Sequence, residues 1–183
     1  MLKQEVYQRA IKFAGEKHCD QLVPGTTANY LLHLSNVAME VMVAYQNEAN
    51  FEINTAVQLA LLHDVLEDTK TSESELVELF GDEIGVGVKA LTKDDDILDK
   101  QEKMADSLRR IKKSYKEVSL VKLADRITNL QQPPKHWNTE KIKKYWEEAT
   151  LIHQELSGFN KFLDQRLAAK ISEYQKYWSE DTL

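Results

Sequence analysis

Apolar residues recur every three or four positions along almost the whole chain, and nowhere do they alternate for long enough to line a strand. That regularity restricts the fold to packed helices. Val6, Ala10, Phe13 and Ala14 line one face, and Tyr30, Leu34, Val37, Val41 and Ala44 line another. The period resumes over residues 54–68 with Asn54 as N-cap, and Ser72-x-x-Glu75 is a capping-box pattern opening a short helix that ends near Gly81. Ile84, Val88 and Leu91 carry the next. Met104, Leu108, Ile111 and Tyr115 mark another, and Val118, Val121, Ala124, Asp125 and Thr128 stack along its successor. Pro133-Pro134 must interrupt that one, because neither proline donates an amide and each pushes its predecessor out of the α region. Two closing helices are predicted, from Asn138 to Ser157 with Gly158 as the stop, and from Asn160 to Trp178 along Phe162, Leu163, Leu167, Ile171 and Tyr174. Lys93 to Gln101 (KDDDILDKQ) loses the period and gains charge, which predicts a mobile loop or a frayed helix start, bordering a pocket. The expectation is an all-α bundle forming a single domain over residues 1–183.

One segment strains that pattern. In LLHDVLEDT, Leu61 to Thr69, a histidine and three acids interrupt an apolar helical run. Unpaired charges at buried positions cost several kcal/mol, roughly, so a bare cluster of this kind requires compensation. On a continuous helix His63 and Asp64 diverge by ~100°, while Glu67 returns to the His63 face and Asp68 follows Asp64. His33 shares a face with Tyr30, Leu34 and Val37, and Asp125 and Asn129 project together from VKLADRITNL, Val121 to Leu130. Three helices can thus converge polar groups on one point. Two imidazoles and two carboxylates make a mixed nitrogen and oxygen set suited to Mn²⁺, Fe²⁺ or Zn²⁺ rather than Ca²⁺. A divalent ion would neutralise Asp64 and Asp125 and acidify a nearby water, for which a phosphorus centre is a natural target.

Taken singly, each piece has an ordinary explanation: a His-Asp dipeptide arises by chance, and Asp125-Arg126 alone reads as a solvated pair. The joint pattern of three pieces, each with an acid or imidazole inside an otherwise apolar helical segment, carries the argument. His18, His136 and His153 lack that setting and are given no ligand role. Trp146, Tyr174 and Trp178 read as bundle seam rather than a base-stacking platform. Composition narrows the partners. A formal charge of −6 disfavours a broad surface that tracks nucleic-acid phosphates, though a local basic pocket for a small anion is compatible with it. One cysteine, Cys19, excludes an intrachain disulfide and a thiolate-rich zinc site. With no signal-type segment at the start and no bilayer-spanning apolar run, a soluble cytoplasmic protein without membrane contacts is the expectation.

The order His33, then His63-Asp64, then Asp125 resembles the H…HD…D pattern of the HD-domain metal-dependent phosphohydrolases. ALLHDVLEDT (60–69) and LVKLADRITNL (120–130) resemble, more narrowly, the hydrolase domain of the RelA/SpoT family and its small stand-alone members of the Mesh1 type. The similarity runs with gaps over roughly residues 1–170. It implies an HD-domain helical bundle that removes the 3′-diphosphate from ppGpp or pppGpp, with one divalent metal, usually Mn²⁺. His33, His63, Asp64 and Asp125 would be the metal ligands. Glu67 and Asp68 match the family's Glu-Asp pair, which would manage the water and its protons, and Asn129 matches an asparagine that can hold the water or a phosphate oxygen. Tyr30, in Tyr-x-x-His, and Tyr145, in KYWEEA, match positions that face the nucleotide, with ordinary packing as the equal alternative.

The chain also departs from the family. A basic pair usually precedes the Tyr-x-x-His, whereas here CDQLVPGTTANYLLH follows Gln21 with Leu22 and Val23, and Leu34 replaces a proline after the first histidine. Lys93, Lys100, Lys103, Arg109 or Lys122 could restore positive charge, with Lys93 and Lys103 the foremost substrate-binding candidates. The first expectation is therefore a ppGpp 3′-pyrophosphohydrolase. Its alternatives are the same chemistry on another nucleotide or a dinucleotide phosphate such as NADPH, a non-catalytic nucleotide-binding module, and an interaction bundle without metal.

Overall fold

A computed structural model describes residues 1–178. Its helices are α1 (Gln4–Lys17), α2 (Leu31–Asn47), α3 (Ile53–Leu62), α4 (Val65–Asp68), α5 (Glu73–Phe80), α6 (Asp82–Leu91), α7 (Lys100–Lys113), α8 (Lys116–Asn129), α9 (Thr139–Leu156) and α10 (Lys161–Tyr174). Among the described residues there is no strand, only an isolated antiparallel bridge between Leu22 and Asn29. No helix among them is long and apolar enough to cross a membrane. The last five residues of the expected domain, 179–183, lie outside the described residues.

Two helices are buried nearly all round, and they set the architecture. In α3 only Asn54 and Gln58 escape full burial, and in α8 an unbroken run from Glu117 to Ile127 is buried save for Lys122. A helix apolar on every side needs neighbours on every side. Helix α3 packs against α1, α2, α6 and α8, while α8 also packs against α2, α9 and α10. The crossing of α2, α3 and α8 is consequently enclosed by helices on several sides. It is also where His33, His63 and Asp125 lie.

Several boundaries follow the sequence signals. Ser72 Oγ accepts the Glu75 amide at 3.1 Å, Asn138 Oδ1 accepts that of Lys141 at 2.9 Å, and Asn160 Oδ1 accepts that of Leu163 at 3.1 Å. The capping box is half made, since the Glu75 carboxylate turns to Lys17 at 2.8 Å. Gly81 sits at φ 88°, a conformation that suits glycine, and forms the corner between α5 and α6. The charged stretch from Lys93 is a loop up to Asp99, whose side chain caps α7.

Other boundaries differ. The helix expected over 54–68 is two helices, α3 and α4, and α3 begins at Ile53 with Glu52 as N-cap. Glu52 is fixed by its amide donating to Glu117 Oε1 at 2.8 Å, and Asn54 instead accepts the Lys3 amide at 2.8 Å. The break falls at His63-Asp64, where Asp64 takes φ −101° and ψ −2°. Tyr115 ends no helix: it precedes α8, and its hydroxyl donates to the Glu83 carbonyl at 2.7 Å. The last α-helix stops at Tyr174, and a 3-10 turn, Gln175–Tyr177, replaces its predicted final turn.

Candidate functional site

The break after α3 changes the geometry of the histidine-aspartate pair. On a continuous helix the two side chains would point apart; here His63 Nε2 lies 3.0 Å from Asp64 Oδ2. Helix α2 brings His33 Nε2 to 3.3 Å from His63 Nε2 and 3.7 Å from Asp64 Oδ2. Together His33, His63 and Asp64 offer one donor atom each, all within 4.8 Å of one another. Helix α8 adds Asp125, whose Oδ1 is 3.5 Å from His33 Nε2 and 3.8 Å from His63 Nε2. All four expected ligands therefore meet at one point.

Their partners orient them. His63 Nδ1 lies 2.8 Å from the Ala60 carbonyl, which can only accept, so the hydrogen sits on Nδ1 and Nε2 faces the cluster. The Tyr30 hydroxyl donates to Asp64 Oδ2 at 2.6 Å. Lys122 Nζ donates to Asp125 Oδ2 at 2.9 Å, and the Asn129 amide donates to Asp125 Oδ1. Asn129 thus braces a carboxylate of the cluster, in addition to lining the cavity.

The electrostatics ask for positive charge. Burial alone would lower the His63 imidazole, but Asp64 and Asp125 outweigh it and push it up to about 10. At His33 burial prevails over the pull of Asp125, and the imidazole lies below its ordinary value. Burial also opposes ionised Asp64 and Asp125, yet His63 holds the first, and Lys122 with both imidazoles the second, below the usual carboxylate range. Burial and then the Asp64 charge raise Tyr30, which stays a hydrogen-bond donor. One proton on His63 supplies only part of what a divalent ion would. The donor set suits such an ion in kind: two imidazole nitrogens and two carboxylate oxygens, with His33, His63 and Asp64 mutually close and Asp125 Oδ1 near both imidazoles.

The cluster opens into a cavity of about 480 Å³. Glu67 and Asp68 line it, as do Lys93, Lys100, Lys103 and Lys122, so four of the five candidate cations are there. Arg109 is not; its side chain is largely exposed and pairs with Asp106 at 3.2 Å. Lys93 donates to Glu67 through both Nζ (2.7 Å) and its amide (3.2 Å), and Lys103 pairs with Asp95 at 3.0 Å. Burial would lower Lys93, but Glu67 raises it above its ordinary value. Burial lifts the Asp68 carboxyl above the usual range, against a hydrogen bond from Gln21. Tyr145 borders both this cavity and a second one of about 590 Å³, which His33, Val23, Pro134 and Trp137 also line.

Arg126 belongs to the site although the dipeptide Asp125-Arg126 reads as solvated. It is buried, with its guanidinium 4.4 Å from the centre of the Tyr145 ring and Nη2 3.5 Å from Glu148. The available signal was its place within the apolar run Leu123, Ala124, Ile127, the same signal that singles out Asp125. His18 is no part of the ligand group, but it is buried beneath Tyr30, ring centres 5.1 Å apart. His153 bonds the Asp164 carbonyl, and Trp146 and Tyr174 pack in the bundle.

The HD-domain family profile matches residues 10–158. The chain is 30% identical over 168 residues to the guanosine-3′,5′-bis(diphosphate) 3′-pyrophosphohydrolase MESH1 of Danio rerio, covering 88% of this chain and 90% of that protein. It is 35% identical over 158 residues to the guanosine-3′,5′-bis(diphosphate) 3′-pyrophosphohydrolase of Aquifex aeolicus (strain VF5), where it covers 84% of this chain and 21% of that one. The fold is similar to the solved structure of a metazoan ortholog of SpoT that hydrolyses ppGpp. The TM-score is 0.81 at 27% identity, with 94% of this chain and 97% of that chain covered.

Proposed function

The chain belongs to the HD-domain family, in the MESH1 group of pyrophosphohydrolases, and we propose on that basis that it removes the 3′-diphosphate of ppGpp or pppGpp by metal-dependent hydrolysis. The observation that carries the reading is the meeting of His33, His63, Asp64 and Asp125, the last three of them lining a cavity that four lysines share. We read residues 1–183 as one such domain, working on a small nucleotide in the cytoplasm, without nucleic-acid or membrane partners.

His33, His63, Asp64 and Asp125 would hold the ion; the mixed imidazole and carboxylate set suits Mn²⁺, Fe²⁺ or Zn²⁺, and Mn²⁺ is our assignment from the family resemblance. When bound, such an ion polarises a phosphoryl oxygen and acidifies water near neutral pH. Tyr30 keeps Asp64, and Lys122 with Asn129 keeps Asp125, turned towards that point. Water adds to phosphorus as the ribose 3′ oxygen leaves, so one proton must be taken from the water and one delivered to the leaving oxygen. Glu67 and Asp68 are the carboxyls in reach of that exchange, and Asp68, raised by burial, holds a proton more readily than a free aspartate. Lys93, Lys100 and Lys103 offset the charge of the diphosphate, and Tyr145, stacked on Arg126, forms the wall between the two cavities.

Incubation of purified protein with Mn²⁺ and ppGpp, with products separated chromatographically, tests this reading. GDP and pyrophosphate are expected in equal amounts. A second reading has its own support: Val23, Pro24 and Gly25 bring no cation to the second cavity, whose lining lysine is Lys135 from the loop before α9, and this altered grip favours a different base or a dinucleotide phosphate. Turnover of NADPH or another nucleotide but not ppGpp would select it, and no turnover across the panel would leave a nucleotide-binding module.

A further inference from the structure

The two acids of the cavity are held in different ways. Glu67 is pinned by Lys93, which engages both of its carboxylate oxygens. Asp68 is engaged through one oxygen only: Gln21 Nε2 donates to Asp68 Oδ2 at 2.8 Å, and the other oxygen has no protein partner among the described residues. Of the two, Asp68 is the carboxylate with an oxygen to spare for water or substrate.

Gln21 has its own anchor. Its Oε1 lies 2.6 Å from Nδ1 of His18. A carboxylate can only accept, so the amide nitrogen must face Asp68 and the amide oxygen must face His18, whose hydrogen then sits on Nδ1. The chain His18, Gln21, Asp68 therefore runs in one direction. His18 is 1% exposed, and its Nε2 is buried without a partner. An apolar ring would fill that space and stack on Tyr30 without stranding a nitrogen, so packing alone does not account for an imidazole here. Its Nδ1 is what the position uses.

The backbone holds this chain in register with the metal cluster. The Tyr30 amide donates to the Gln21 carbonyl at 2.8 Å, the Val23 amide to Ala28 at 2.9 Å, and the Asn29 side chain to the carbonyls of His18 and Cys19 at 3.2 and 3.0 Å. One clamped loop thus presents a donor to Asp64, through Tyr30, and a donor to Asp68, through Gln21.

We propose that Gln21, fixed by His18, is a positioning residue that aims Asp68 at the reacting phosphate in step with the metal ligands. This rests on the hydrolase reading above. A positioned group loses turnover when its support is removed, while substrate binding elsewhere persists. Gln21→Leu keeps the side chain's size and removes both hydrogen bonds; His18→Phe keeps the stack on Tyr30 and removes only the first.

The test compares wild type, Gln21→Leu, His18→Phe, Asp68→Asn and the Gln21→Leu/Asp68→Asn double variant with Mn²⁺ and ppGpp. Gln21→Leu should lower kcat about tenfold or more, with KM within about twofold and Mn²⁺ affinity by calorimetry unchanged. His18→Phe should give a smaller loss of the same kind. In the Asp68→Asn background Gln21→Leu should change kcat less than about twofold. Equal losses in both backgrounds, or a rise in KM at constant kcat, would overturn the proposal. A crystal structure of Gln21→Leu gives a readout independent of turnover: a displaced Asp68 carboxylate is expected, and an unmoved one overturns the proposal. An inactive wild type would sink the hydrolase reading instead, with the crystallographic arm still deciding the positioning.

Discussion

Helix α2 buries two polar side chains seven residues apart, His33 and Glu40, and the chain treats them in opposite ways. Glu40 is satisfied from within: Arg166 of α10 meets it with Nε at 2.5 Å and Nη2 at 2.6 Å, a bidentate pair that leaves no charge over. The group around His33 gathers two carboxylates against one lysine and a shared proton, and it faces a cavity. Burial of charge alone therefore does not mark a functional site. What marks it is a charge that the chain balances only with a titratable proton, which a cation could replace.

The largest effect separating the two regions should be catalytic. His63→Ala should lower hydrolysis of ppGpp about a thousandfold or more in a steady-state assay, because it removes a ligand of the ion. Next comes the response to metal. Mn²⁺ at about a hundred times its Kd should stabilise the protein by about 2.7 kcal/mol, seen as a higher unfolding temperature that a chelator reverses. His63→Ala should lose that shift and Arg166→Met should keep it. Arg166→Met should instead cost about 2 kcal/mol, below the roughly 3 to 5 kcal/mol for breaking a fully buried pair because its side chain is 40% exposed, and lower the Tm on the order of 5 °C. Taken per pH unit, the smallest effect is in pH. His63 is raised in the folded state, so without metal its contribution is complete below its unfolded pKa of about 6.5 and is lost as pH rises towards about 10. Unfolding of chelator-treated protein should show stability falling over that window by at most about 1.4 kcal/mol per pH unit. In excess Mn²⁺, which takes the place of the proton, the slope should flatten or reverse.

Helix positions were legible because burial imposes a period, and the caps at Ser72, Asn138 and Asn160 announced themselves by residue type. The break at Asp64 was not, since no glycine or proline marks it; the backbone parts there where tertiary contacts hold both side chains on one point. The candidate ligand cluster was legible for the same reason that the segment looked wrong, as acids and imidazoles in apolar surroundings. The supporting residues were harder. Gln21 acts on Asp68 across 47 residues, which local pattern does not encode, and Arg126 was hidden by a neighbouring acid that reads as its partner.

The kink that turns His63 and Asp64 onto one spot also fixes the order in which the cluster can assemble. Those two donors come as a ready pair from adjacent residues, whereas His33 arrives from 30 positions away and Asp125 only once α8 has docked beside α3. A partly folded chain would offer the ion a weak two-point grip, and the full coordination set would appear last. Tight metal capture is therefore a built-in report that the whole bundle has closed.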